Sequence, residues 1–144
     1  MQKLLFLAML LVFPLATHAQ PDEEVIQTIA RQTKLSASEI RQHFDSCDSG
    51  VTLTMKICAS YRWMVQDVRL NKVYRQARSV ARERGYEESL VKSQRAWVAY
   101  RDSVCAFEGE MGAGGGSEEG LYLLSCKEEV TKLQANRLEL AIRP

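Results

Sequence analysis

Apolar residues recur at helical spacing along almost the whole chain beyond residue 20, and no alternating run is long enough for a convincing strand. The pattern predicts an all-α fold. A first short helix is expected over Glu23 to Gln32. Ser36 and Glu39 stand at capping-box spacing, with Leu35 and Ile40 placed as a hydrophobic staple, so a second short helix runs from Ala37 to about Ser46. The Asp48-Ser49-Gly50 turn ends it. A long helix follows from about Thr54 to Arg84, roughly 45 Å at 1.5 Å per residue. Its apolar side holds Ile57, Tyr61, Met64, Val68, Leu70, Tyr74, Ala77 and Ala81.

Gly85 stops that helix, and charges match the dipole on both sides: Arg82 and Arg84 precede the glycine, and Glu87 and Glu88 follow it. A helical hairpin is therefore predicted. The next helix runs from about Tyr86 to Glu108 with Leu90, Trp97, Val104 and Phe107, and it ends at the glycine-rich stretch Gly109 to Gly116, read as a flexible loop. The last helix takes Ser117 as N-cap and Glu118 and Glu119 in its first turn, and continues through Leu121, Leu124, Val130, Leu133 and Leu140. The predicted architecture is an antiparallel bundle of three long helices preceded by two short ones.

The first residues follow a different pattern. Lys3 is the only charge before an apolar run from Leu4 to Leu15, and small residues in Ala16-Thr17-His18-Ala19 suit cleavage after Ala19. This run is too short for a bilayer, which needs about twenty residues. Residues 1–19 therefore read as a signal peptide, with no stable membrane insertion after its removal and a periplasmic or secreted destination. Removing 19 of the 144 residues leaves 125, enough for one domain with a modest core. That leaves 18 Lys+Arg against 18 Asp+Glu, which argues against nucleic acid as a partner. His43 is the one histidine left, no zinc set or Gly-x-Ser-x-Gly elbow is present, and no metal or other cofactor is called for.

All four cysteines lie downstream of the export segment, where an oxidising compartment permits disulfides. Cys105 sits about one turn before the glycine stretch and Cys126 about two turns after it, so a hairpin brings them level. Cys47 and Cys58 flank a short turn and make a second local pair. The crossed pairing of Cys58 with Cys105 would be about 10 Å out of level across the Gly85 hairpin. The bundle is therefore expected to be stapled by Cys47–Cys58 and Cys105–Cys126.

The most specific segment is Gln94-Arg95-Ala96-Trp97-Val98-Ala99-Tyr100-Arg101-Asp102-Ser103-Val104-Cys105, preceded by Cys58-Ala59 and by Asp67, Leu70-Asn71 and Tyr74. It resembles the LprI-like lysozyme-inhibitor family of small exported helical proteins. The likeness continues through Gly115-Gly116-Ser117, Cys126, Thr131, Arg137 and Leu140, and covers about residues 52–140. It implies a domain over residues 52–144 behind an N-terminal helical extension over residues 20–51, a binding rather than an enzymatic role, and lysozyme as partner.

Asp67 and Asn71 are one turn apart on one helix, while Gln94, Trp97 and Arg101 share a face of the next. These residues are expected to form a structural polar network in which Asp67 accepts from Arg101 or Arg137. A catalytic set of Asp67, Tyr100 and Asp102 lacks a nucleophile, and Asp102 should point about 100° away from Arg101. At helical spacing Trp97 and Tyr100 read as core, and Lys72, Arg75, Arg78, Arg82 and Arg84 read as a solvated face. The sharper candidate is the glycine-rich tip, where Glu108, Glu110, Glu118 and Glu119 surround Met111. A negatively charged tip suits a cationic partner: lysozyme, whose two carboxyl groups work in an open cleft, or another cationic envelope protein. The leading reading is occlusion of that cleft by the tip. A cell-envelope interaction or structural protein without lysozyme activity is the alternative, and a hydrolase ranks last.

Overall fold

The computed structural model of the protein describes residues 22–143, which form five helices and no strand. In order they are α1 (Glu23–Thr33), α2 (Ala37–Phe44), α3 (Thr52–Glu83), α4 (Glu87–Ala113) and α5 (Glu119–Ala141). The export segment predicted over residues 1–19 lies outside the described residues. None of the described helices is long and apolar enough to cross a membrane.

Local signals account for the short helices. Asp22 caps α1 by accepting from the N–H groups of Glu24 and Val25 at 3.0 and 3.3 Å. Ser36 Oγ accepts from the Glu39 N–H at 3.2 Å while the Glu39 carboxylate accepts from the Ser36 N–H at 2.7 Å, closing the capping box at the start of α2. That helix ends at Phe44, short of the expected Ser46, and Cys47 in the following turn is disulfide-bonded to Cys58 at the start of α3.

The spine of the molecule is α3. Along its first half Ile57, Tyr61, Met64 and Val65 face α1 and α2 and pack with Val25, Ile26, Ile29 and Ile40. On the opposite side, Leu70, Val73 and Ala77 face Ala135 and Leu138 of α5. The single apolar side expected of α3 is therefore two opposed sides. The short helices cover only one of them and only near its start, which leaves Val68 exposed at the edge of this cap.

Neighbouring contacts fix the direction of α5. Arg62 pairs with Glu128 at 3.1 Å, and Arg69 donates to Asn136 at 2.7 Å and Glu139 at 2.8 Å, so α5 runs parallel to α3. α4, which links them in the chain, runs antiparallel to both. At the α3–α4 turn Gly85 has φ +79°, and the Tyr86 N–H reaches back to the Ala81 carbonyl at 2.7 Å, a glycine-terminated helix end. α4 packs mainly on α5 and touches α3 sparsely.

At its far end α4 corrects the sequence expectation. It does not stop at Glu108: it continues through Gly109 and Gly112 to Ala113, and Glu118 rather than Ser117 is the residue preceding α5, with no side-chain cap. The reason is steric. A Cβ on Gly109 would lie 3.2 Å from the Glu119 carbonyl oxygen and 3.3 Å from Leu123 Cβ, and one on Gly112 would lie 2.6 Å from the Tyr122 ring. These two glycines allow α4 and α5 to approach closely. Packing overrides a helix penalty of about 1 kcal/mol for each glycine. Only Gly114, with φ +56°, acts as a helix stop, donating its N–H to the Glu110 carbonyl at 2.9 Å.

Candidate functional site

The α4–α5 hairpin ends in a tip that is a stiff extension of two helices. Cys105–Cys126 ties the helices together below it, Gly109 is buried in their contact, and the turn itself spans only residues 114–118. Glu108, Glu110 and Met111 belong to the last turns of α4, where Met111 is 71% exposed. Glu118 is exposed in the turn, and Glu119 is half-buried as it opens α5. The long glycine loop expected here is thus replaced by a helical wedge with a short turn. No hydrogen bond or ion pair holds the side chain of Glu108, Glu110, Glu118 or Glu119 among the described residues.

Charge around the wedge is one-sided. From residue 102 to residue 126 the chain has Asp102 and these four glutamates and no Lys, Arg or His. Folding brings Lys56 up to the start of α5, its Cε 3.1 Å from where a Cβ on Gly120 would be. Beside it an open depression of about 210 Å³ is lined by Met55, Glu118, Leu121, Tyr122 and Ser125. Apolar surface flanks the carboxylates, with Phe107 58% and Tyr122 46% exposed. The arrangement can attract a basic surface and bury apolar contact against it.

A second polar group lies deeper, where the three long helices meet. Arg101 Nη1 stands 3.6 Å from Asp67 Oδ1, and Asn71 donates to Asp67 Oδ2 at 3.0 Å. Arg101 also donates through Nε and Nη2 to Asp102 Oδ1 at 2.9 and 2.8 Å, so Asp102 joins the group instead of pointing away. Lys127 approaches the same Asp102 oxygen at 3.6 Å. Each cation covers an indole, Arg101 at 5.3 Å from the Trp97 ring centre and Lys127 at 4.9 Å from that of Trp63. Both carboxylates are held by cations, and the group supplies register between helices.

Gln94 belongs to a separate contact, accepting from Gln134 Nε2 at 3.0 Å. Arg137 does not enter the network: it is exposed on α5, one residue from the inward Leu138, and Arg69 makes the α3–α5 polar link instead. Tyr100 is no core residue, being 60% exposed, while Trp97 is partly buried against the Leu70 cluster. Trp63 Nε1, Gln66 Oε1 and Thr131 Oγ1 are buried without a hydrogen-bond partner in the described residues. Lys127, Gln134 and Trp63 were missing from the sequence expectation, and Phe107 was read only as an apolar residue of its helix. For Lys127 and Gln134 the helical offset from Cys126 was the available signal.

At the opposite end of the bundle, Arg78 and Arg82 both donate to Glu87, at 2.7 and 2.8 Å. The bond from Arg82, aided by the one from Arg78, pulls the Glu87 carboxyl down from its usual 4.5 to about 2. Two of the five cations in the basic stretch of α3 are thereby engaged within the fold. Among the described residues no cluster of three or more His, Cys, Asp or Glu could hold a metal ion.

Comparison with known proteins adds one family. The family described as Lysozyme inhibitor LprI matches residues 45–138. An uncharacterized protein of Rhizobium meliloti (strain 1021) is 32% identical over 99 residues, covering 60% of this chain and 70% of that protein. No solved structure matches.

Proposed function

The chain belongs to the lysozyme inhibitor LprI family, and we propose that it is an exported binding protein that inhibits lysozyme by setting its acidic α4–α5 wedge against the substrate cleft. The observation that carries this reading is the wedge itself: four carboxylates without internal partners, on a disulfide-tied hairpin end that has no cation from residue 102 to residue 126. A lysozyme cleft works through two carboxyl groups on an open groove, so a partner that fills the groove blocks polysaccharide without chemistry of its own. Glu108, Glu110 and Glu118 steer association with a basic enzyme, and Met111 supplies apolar contact at the tip. Because the wedge is ordered before binding, little chain entropy opposes docking.

The test is a muramidase assay with the purified, oxidised protein. Lysis should slow at micromolar protein, and Glu108→Lys with Glu110→Lys should weaken inhibition about tenfold or more at low salt, with the loss shrinking as salt rises. Unchanged lysis with the unaltered protein would remove this reading. Recovery of an envelope protein by crosslinking, with lysozyme untouched, would replace it with the envelope-interaction alternative.

A further inference from the structure

We propose that the outward face of α4, from Tyr100 to Met111, is a preformed binding surface that lies lengthwise in an apolar, basic-rimmed groove of a protein partner. The identity of that partner rests on the inhibitor reading. The new content is the pose: α4 lies along the cleft, where a simple plug would enter end-on.

Helical geometry defines the surface. Tyr100, Val104, Phe107 and Met111 fall at i, i+4, i+7 and i+11, within an arc of about 60° at 100° per residue. Tyr100, Phe107 and Met111 are 60%, 58% and 71% exposed, although the same spacing inside a bundle would mark a core. Cys105 and Gly109, about 130° and 170° round the helix from the middle of the stripe, face α5, while the partly buried Trp97 stands at the edge of the stripe, about 20° from Val104. Val104 within the stripe is half-buried, and the three exposed side chains span about 16 Å of helix. Such a row of anchors is how a helix is recognised in a groove, and an apolar row of this kind on a soluble protein marks an interaction surface.

Charge selects the occupant. Glu108 and Glu110 lie on either side of Met111, unpaired among the described residues, and Ser103 and Ala96 extend the stripe without charge. The stripe therefore fits an apolar groove with cations at its rim. A second copy docked about a two-fold through the middle of the stripe would place these glutamates near Ser103 and Arg101. Arg101 is turned inward with 12% of its side chain exposed, and Asp67 and Asp102 already engage it. A copy of this chain thus offers these acids no free cation there.

The experiment measures muramidase inhibition and lysozyme binding with the oxidised protein and four single variants. Phe107→Ser and Tyr100→Ser should each weaken both readouts about tenfold or more, with the salt dependence unchanged. Ser103→Arg removes no contact within the fold and should weaken both through repulsion from a basic rim. Leu140→Ser, at an equally exposed apolar position on α5, should leave both unchanged and so exclude a general effect of surface apolarity. If the unaltered protein inhibits and Phe107→Ser and Ser103→Arg inhibit equally well, the lengthwise pose is overturned while the inhibitor reading stands. If the unaltered protein neither binds nor inhibits lysozyme, the inhibitor reading fails and takes this pose with it. Self-association of the unaltered protein that Phe107→Ser abolishes would assign the stripe to a second copy and overturn the proposal.

Discussion

The two sides of α3 are held by different physics. On one side α1 and α2 press Val25, Ile26, Ile29 and Ile40 onto Ile57 in a dry aliphatic cluster, each of these residues 2% exposed or less. On the other, α5 meets α3 through a small cluster of Leu70, Val73, Ala77, Ala135 and Leu138, joined by the bonds of Arg62 to Glu128 and of Arg69 to Asn136 and Glu139. Arg101, Lys127 and Gln134 occupy positions that a conventional bundle would give to leucine. The cap gains stability from burial alone, whereas the seam between the long helices gains register from directed bonds.

The largest expected effect separates these regimes directly. Ile26→Ala should cost about 3 kcal/mol in urea unfolding, since a fully buried isoleucine leaves a cavity that capped helices cannot close. Arg101→Met should cost only about 1–2 kcal/mol: it leaves Asp67 to Asn71 and Asp102 to Lys127, and those carboxylates are 37% and 48% exposed and screened by water. A larger loss at Arg101 than at Ile26 would reverse the comparison and make the polar seam the main source of stability.

Much of this was legible from the chain alone. The helical period, the Ser36–Glu39 box, the Gly85 hairpin and the level placement of Cys105 with Cys126 are local facts, and local facts survive translation into a fold. What was not legible depends on neighbours. Gly109 and Gly112 look like loop residues beside Gly114 to Gly116, and only the approach of Leu123 and Tyr122 distinguishes them. A usable clue was present, because Cys105, Gly109 and Gly112 share one helical face at i, i+4 and i+7. For Tyr100, Phe107 and Met111 no such clue existed: an exposed stripe and a buried one have the same period. Arg69 and Arg137 are likewise equivalent on paper, and the register of α5 decides which of them pairs.

The close contact at the tip supplies the next effect. Gly109→Ala should destabilise by about 1 kcal/mol despite the better helix propensity of alanine, because the new methyl meets backbone at Glu119 and cannot be accommodated by a side-chain swing. The same change at Gly112 would put its methyl 2.6 Å from the root of the Tyr122 ring, closer than any contact at Gly109, so it forces that side chain to move and should cost at least as much. Thermal melting of the two variants orders them. Equal stability of Gly109→Ala and the parent protein would mean that the wedge is looser than its geometry implies.

The smallest effect is a pH dependence confined to the α3–α4 turn. The Glu87 carboxyl lies at about 2 in the folded protein and near 4.5 when unfolded, mainly through the bond from Arg82. Between these values the unfolded chain takes up a proton that the folded chain refuses, so acid favours unfolding. The contribution is complete above about pH 4.5 and is lost as pH falls toward 2. Glu87→Gln should therefore flatten the fall of melting temperature across that window. It should not abolish the fall, because Glu39, bonded to Ser36, and Glu23, bonded to Gln27 and Arg41, are also held below their usual value in the N-terminal cap. A melting profile that Glu87→Gln leaves unaltered would show that the Arg78–Glu87–Arg82 clamp adds nothing to the turn, and would leave acid sensitivity to the cap alone.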